Sequence, residues 1–159
     1  MSISIGDRIP EATLTVMQDG KPTPLNSREI FAGKRVVLVS VPGAFTPTCS
    51  ARHLPGYIEQ AEEFFNKGID TVACMAVNDV FVMDAWGRQA GADRLLMLAD
   101  GNADFALSLG LEMESRAFGM GQRSQRFALV ADDGVVTQLH VEAPGEFRVS
   151  AAENVLAQL

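Results

Sequence analysis

Two cysteines and two histidines are the scarce reactive side chains of this chain: Cys49, Cys74, His53 and His140. Cys49 is the best placed of them. It closes the loop Pro42-Gly43-Ala44-Phe45-Thr46-Pro47-Thr48-Cys49, which comes after the apolar run at residues 35–41. In open α/β sheets chemistry gathers where strands end and helices begin. A residue in the first turn of a helix meets unpaired N–H groups and the positive end of the helix dipole. A thiol there is favoured as thiolate, the nucleophilic form. The competing reading is a small buried apolar residue, the common lot of a free cysteine. The thiolate gained this way is roughly thirtyfold, only about 2 kcal/mol. Fast thiol chemistry needs more, so groups that recognise the reacting substrate are required. Thr46 offers a hydroxyl three residues earlier, and a cation must come from elsewhere in the chain.

The elements that must position these groups can be read from pattern. Residues 35–41 form a β-branched run without alternation, which suits a central strand buried on both faces. Residues 12–16 read as a short strand before the turn Asp19-Gly20, and Pro22 and Pro24 confine the next segment to an edge or a loop. A helix is expected from near Thr48, kinked or split at Pro55-Gly56. Its second half carries Ile58, Ala61, Phe64 and Phe65 at helical spacing and ends at Lys67-Gly68. Residues 71–77 read as a strand, with Asn78 capping a helix over 79–89. A strand over 95–98 and a helix over 102–109, stopped at Gly110, come next. Strands over 127–130 and 135–141 flank Asp133-Gly134, a hairpin signal. In the second of these, Thr137, Leu139 and Val141 are expected on one face, with Gln138 and His140 on the other. Ser150-Ala151-Ala152-Glu153 reads as a capping box for the last helix. Parallel βα units with a hairpin and a closing helix after them predict a thioredoxin-like α/β fold. Its central mixed sheet would be flanked by helices, in one domain over residues 1–159.

That topology nominates the missing cation. Arg126 heads the strand over 127–130, which a thioredoxin-like sheet lays antiparallel beside residues 35–41. Arg126 is thereby brought toward Cys49. Arg123 and Arg116, upstream in a segment holding Gly119 and Gly121, are the substitutes. A guanidinium offers fixed donors to two adjacent oxygens.

Composition excludes several classes. Lys plus Arg is 13 and Asp plus Glu is 20, a net charge of -7. That balance argues against nucleic acid and against anionic membrane surfaces as partners. No apolar stretch approaches the roughly 20 residues of a membrane helix. Met1 to Arg8 lacks the basic and apolar regions of a signal peptide, so the expected compartment is the cytoplasm. Two cysteines cannot build a disulfide framework and fit a reducing environment.

The loop Pro42-Gly43-Ala44-Phe45-Thr46-Pro47-Thr48-Cys49 resembles the active-site loop of peroxiredoxins, in particular the type-II (five-like) subfamily. Support runs nearly end to end, through Gly6-Asp7-Arg8-Ile9-Pro10, His53-Leu54-Pro55-Gly56-Tyr57, Val77-Asn78-Asp79-Val80-Phe81-Val82-Met83, Trp86-Gly87 and Arg123-Ser124-Gln125-Arg126-Phe127. The resemblance implies a peroxidase without cofactor, reducing hydrogen peroxide and alkyl hydroperoxides through a sulfenic acid at Cys49. Thr46 would hydrogen-bond the peroxide, Arg126 would hold the thiolate and stabilise charge across the breaking O–O bond, and Pro42 would shield the sulfur. Some members carry a resolving cysteine before the final helix, where Val149 stands here. Others, similar to the plant type-II proteins, carry one at the position of Cys74. Cys74 falls in mid-strand, so a packed apolar role competes with a resolving one. The expected reductant is therefore an external thiol, glutathione with glutaredoxin or thioredoxin. A homodimer joined through loops near the active site is also implied.

Other chemistries stay open at this level. Cys49 and His53 are four apart and could form the Cys–His pair of a hydrolase or acyltransferase. They could supply two metal ligands, but no second pair appears, and structural zinc takes four. Cys49-Ser50-Ala51-Arg52 lacks the second thiol of a dithiol exchanger. A non-catalytic interaction module would use the Met and Phe residues as an interface, although their spacing suits a core.

Overall fold

Six residues of strand β3 (Arg35–Ser40) run through the middle of the sheet, in a computed structural model that describes residues 1–159. The remaining strands are β1 (Thr13–Gln18), β2 (Lys21–Asn26), β4 (Thr71–Ala76), β5 (Leu96–Ala99), β6 (Glu112–Glu114), β7 (Gln122–Ser124), β8 (Phe127–Asp132) and β9 (Val135–Val141). Seven of them form one sheet in the order β2-β1-β5-β4-β3-β8-β9, while β6 and β7 pair apart. β3 is parallel to β4 and antiparallel to β8. The helices are α1 (Ser27–Phe31), α2 (Leu54–Asn66), α3 (Val80–Ala90), α4 (Asp104–Leu109) and α5 (Ala152–Leu156), with a π turn at Cys49–His53 and a 3-10 turn at Arg116–Phe118. No helix is long and apolar enough to cross a membrane.

The lack of alternation in β3 has its physical cause in two cores. Val37 and Val39 face the layer that holds Tyr57, Phe64, Trp86 and Val155. Val36 and Leu38 face the opposite layer with Phe31, Phe105 and Leu109. Both faces are covered, so both must be apolar. β2, with Pro22 and Pro24, sits at the sheet edge, where a missing N–H costs least.

Several local expectations are corrected. Asn78 does not cap the third helix: Asp79 does, its Oδ1 accepting from Val82 N at 2.8 Å. Asn78 Oδ1 instead accepts from Ala44 N at 2.9 Å and ties the Cys49 loop to the end of β4. The fourth helix starts at Asp104, with Asp100 accepting from Phe105 N and Ala106 N at 3.0 and 2.8 Å. The hairpin turn has Asp133 at φ 49° and Gly134 at φ 79°, the two left-handed residues of a tight turn. Its second strand, however, is bulged. Val130 pairs with Gln138 but Ala131 pairs with Val136, leaving Thr137 as the extra residue. Val136, not Thr137, therefore joins Leu139 and Val141 against the core. Ser150 does not cap the final helix either; Ala151 holds that place and Ser150 is spent elsewhere.

Candidate active site

The β3–α2 junction is irregular for a reason the sequence carries. Pro47 takes the first helical position, where its missing N–H is no loss. Pro55 removes a second N–H eight residues, about two turns, later. Between them the ladder widens, and Leu54 N–H reaches back five residues to the Cys49 carbonyl. Such π turns concentrate at functional sites. This one opens on Cys49, which is buried.

Upstream, Phe45 stands at φ 65°, a conformation that costs a bulky residue free energy. Its ring is nearly half exposed and lies 6.4 Å from that of Trp86, whose Nε1 donates to Ser50 Oγ at 3.0 Å. A Cβ on Gly43 would come within 3.1 Å of both Met120 Cε and Thr46 Cγ2, so a larger residue there would have to push these neighbours aside. Thr46 Oγ1 donates to the Gly43 carbonyl at 2.7 Å, which leaves the hydroxyl oxygen free to accept.

Register delivers the cation. Ser40 pairs with Phe127, so Arg126 lies beside the end of β3. Its Nη2 donates to Cys49 Sγ at 3.1 Å. Arg126 is the only residue that hydrogen-bonds this sulfur. Arg123 is turned to the Met120 carbonyl at 2.8 Å, and Arg116 makes an exposed ion pair with Glu114 at 3.7 Å. Neither takes the place of Arg126.

His53 is fully buried, and its Nδ1 lies 2.8 Å from Arg126 Nη1. Its Nε2 lies 3.1 Å from the Ser150 carbonyl. Arginine only donates and a carbonyl only accepts, so Nδ1 is the lone pair and Nε2 carries the proton. Burial, then the Arg126 charge, push the His53 pKa down to about 3. The ring is neutral, with its one basic nitrogen occupied. The Cys–His dyad suggested by spacing is therefore not formed: His53 serves the arginine, not the sulfur.

Pro42, Thr46 and Arg126 line one cleft of about 640 Å³, with Met113, Phe118 and Met120 on its walls. Cys74 lies outside it, paired with Val39 in mid-sheet and fully buried. Burial, then the neighbouring Cys49, push its thiol pKa well up. Both cysteines are free.

Sequence reading did not reach four neighbours of this site. Tyr57 donates to the Ser150 carbonyl at 2.6 Å. Phe147 packs its ring 4.9 Å from that of His53, with the Arg126 guanidinium 6.0 Å from its centre. Ser150 and Glu142 join each other through a short hydrogen bond of 2.6 Å. Glu142 carried no motif at all, and Ser150 carried a misleading one.

A guanidinium aimed at a buried sulfur stabilises its thiolate, but with His53 neutral and turned to Arg126 no free general acid or base stands beside the sulfur for acyl transfer. The arrangement suits a reaction in which charge leaves sulfur for a departing oxygen. On a thioredoxin-like sheet, that combination defines the cysteine peroxidases. A family profile described as Redoxin matches residues 4–156. The chain is 48% identical over 165 residues to chloroplastic peroxiredoxin-2E-2 of Oryza sativa subsp. japonica, covering 99% of this chain and 73% of that one. It is 45% identical over 159 residues to peroxiredoxin-2B of Arabidopsis thaliana, covering 99% and 98%. The crystal structure of reduced Prx3 from Vibrio vulnificus in complex with H2O2 superposes with a TM-score of 0.95 at 52% identity, over 98% of each chain. The chain belongs to the Redoxin family and, within it, to the type-II peroxiredoxins. It is a thiol-dependent peroxidase.

Proposed function

We propose that Cys49 is the residue oxidised by the peroxide. Its thiolate sulfur attacks one oxygen of a hydroperoxide, the O–O bond breaks, and the second oxygen leaves as water or alcohol after taking a proton. Cys49 becomes a sulfenic acid. Thr46 accepts the peroxide hydrogen through the hydroxyl oxygen left free by its bond to Gly43. Arg126 holds the sulfur and stabilises the charge that moves along the S–O–O line. Pro42 walls the cleft against water. The 3.1 Å contact from Arg126 Nη2 to Cys49 Sγ carries this reading.

The sulfenic acid is returned to thiol by an external thiol, glutathione with glutaredoxin or thioredoxin. Two observations favour that route over an internal disulfide. Val149 stands where some relatives would have a cysteine, and Cys74 is buried with its thiol held protonated. The working form is a homodimer: Phe45, Phe81 and Phe118 are large, exposed apolar side chains, and Phe45 and Phe118 border the active-site loop and cleft. Residues 1–159 act as one redox domain, and its compartment is the cytoplasm.

Peroxide-dependent NADPH consumption tests this, with the glutathione–glutaredoxin and thioredoxin systems supplied separately. The parent is expected to turn over with at least one system, and Cys49→Ser with neither. Undiminished turnover in Cys49→Ser overturns the assignment.

A further inference from the structure

Glu142 is a buried carboxylate that the peroxidase reaction does not use. It comes directly after β9, and its backbone N–H donates to the Arg126 carbonyl at 3.0 Å. Its Oε2 receives three donors: Arg148 N at 2.7 Å, Ser150 N at 2.8 Å and Ser150 Oγ at 2.6 Å. Burial alone would raise its pKa, but the hydrogen bonds from Ser150 and Arg148 outweigh that and hold it below the ordinary range. The charged form is thus the one built into the fold.

From Ser150 the chain of contacts leads to the sulfur. The Ser150 carbonyl accepts from both His53 Nε2 and Tyr57 Oη. His53 Nδ1 accepts from Arg126 Nη1, and Arg126 Nη2 points at Cys49 Sγ. The circuit starts at the Arg126 main chain and closes on the Arg126 side chain. Each residue-to-residue link is a hydrogen bond, and Glu142 is the only carboxylate among them.

We propose that Glu142 is a positioning residue for peroxide reduction, fixing the Ser150 carbonyl so that His53 holds Arg126 on the Cys49 sulfur. The proposal rests on the peroxidase reading and adds a residue to it. Three donors converging on one oxygen pin the segment that presents the carbonyl. With that carbonyl fixed, the histidine ring has one tautomer and one orientation. One guanidinium nitrogen is then spoken for, and the other has a single direction left. Glutamine at 142 keeps the shape but loses the charge, and hydrogen bonds to a neutral acceptor are roughly half as strong.

The test separates aim from fold. Attack on a peroxide needs Arg126 aimed to stabilise the charge that moves along the S–O–O line, whereas alkylation by iodoacetamide is a one-centre displacement at the sulfur. In Glu142→Gln the rate constant for sulfenic acid formation is expected to fall about tenfold, with the alkylation rate changed less than about twofold. In an Arg126→Gln background the same change is expected to cost nothing further, because the group it aims is gone. Equal losses in both reactions, or the full tenfold loss again without Arg126, overturn the proposal. If Glu142→Gln does not fold, Ser150→Ala replaces it. That variant removes one of the three donors and is expected to lower the peroxide rate about threefold with alkylation unchanged. An unchanged peroxide rate in folded Ser150→Ala overturns the proposal. A parent that consumes no peroxide overturns the peroxidase reading and this inference with it. An active parent with an unselective variant overturns this inference alone.

Discussion

His53 Nδ1 accepts from Arg126 Nη1 at 2.8 Å, and this single bond settles the protonation of both partners. The imidazole must be neutral to accept, so its pKa lies near 3 in the fold against 6.5 as an ordinary value. A group with a lowered pKa binds its proton more readily when unfolded. Stability therefore stands at its full value above about pH 6.5 and declines as the pH falls toward 3. At pH 5 the loss from His53 is about 2 kcal/mol. His140, also lowered by burial, adds in the same direction. Urea unfolding at pH 5 and pH 7.5 checks this in the parent and in His53→Gln. The parent is expected to lose stability between the two, and the variant to lose less. An identical pH dependence would show that His53 titrates normally.

Arg126→Lys is expected to leave the fold intact and to lower the peroxide rate by about a hundredfold or more, the cost of removing a preorganised donor. Lysine is a point charge and cannot place one nitrogen on His53 and another on Cys49. Stopped-flow measurement of sulfenic acid formation reads the effect. A lysine variant as fast as the parent would mean that charge alone suffices.

The architecture was legible because both its signals are local. A Val-rich apolar run without alternation marked β3, and Asp133-Gly134 marked the hairpin. Arg126 could be placed because topology alone puts the start of β8 beside the end of β3. What escaped depends on contacts between distant segments. Ser150-x-x-Glu153 satisfies a capping pattern, yet the hydroxyl finds a stronger, charged partner in Glu142. Asn78 likewise gives up the helix to Asp79 and holds Ala44. Thr137 is displaced from its face by a bulge for which no residue type gives a signal. The spacing from Cys49 points to His53, but its role hangs on a carbonyl 97 positions away.

Cys74→Ser is expected to retain most of the thiol-supported turnover, within about twofold, if the sulfenic acid at Cys49 is resolved externally. The Cys74 side chain is fully buried and its thiol is held protonated by that burial, so it offers little thiolate for attack. A small stability loss, roughly 1–3 kcal/mol, is expected from placing a hydroxyl in an apolar setting. Coupled NADPH assays and thermal unfolding read the two effects separately. A large fall in turnover with stability preserved would assign Cys74 a redox role.

Thr46→Val separates the hydroxyl from the shape of the side chain. The methyl groups of valine keep contact with the Gly43 turn, where Thr46 Cγ2 already packs closely, so the loop is expected to hold. The variant loses the donor to the Gly43 carbonyl and the only hydroxyl on the cleft wall beside Pro42 and Arg126 apart from that of Ser115. If Thr46 orients the peroxide, its loss is expected to cost about a hundredfold in the oxidation step, in the range for one lost transition-state partner. Binding and chemistry should fall together, because a small hydroperoxide has few other contacts to position it. Reduction of the sulfenic acid, in which no peroxide takes part, is expected to change little. Single-turnover oxidation and then addition of thiol measure both steps on one sample. Oxidation at the parental rate would remove Thr46 from the mechanism, whereas equal slowing of both steps would place the damage in the loop instead of the hydroxyl.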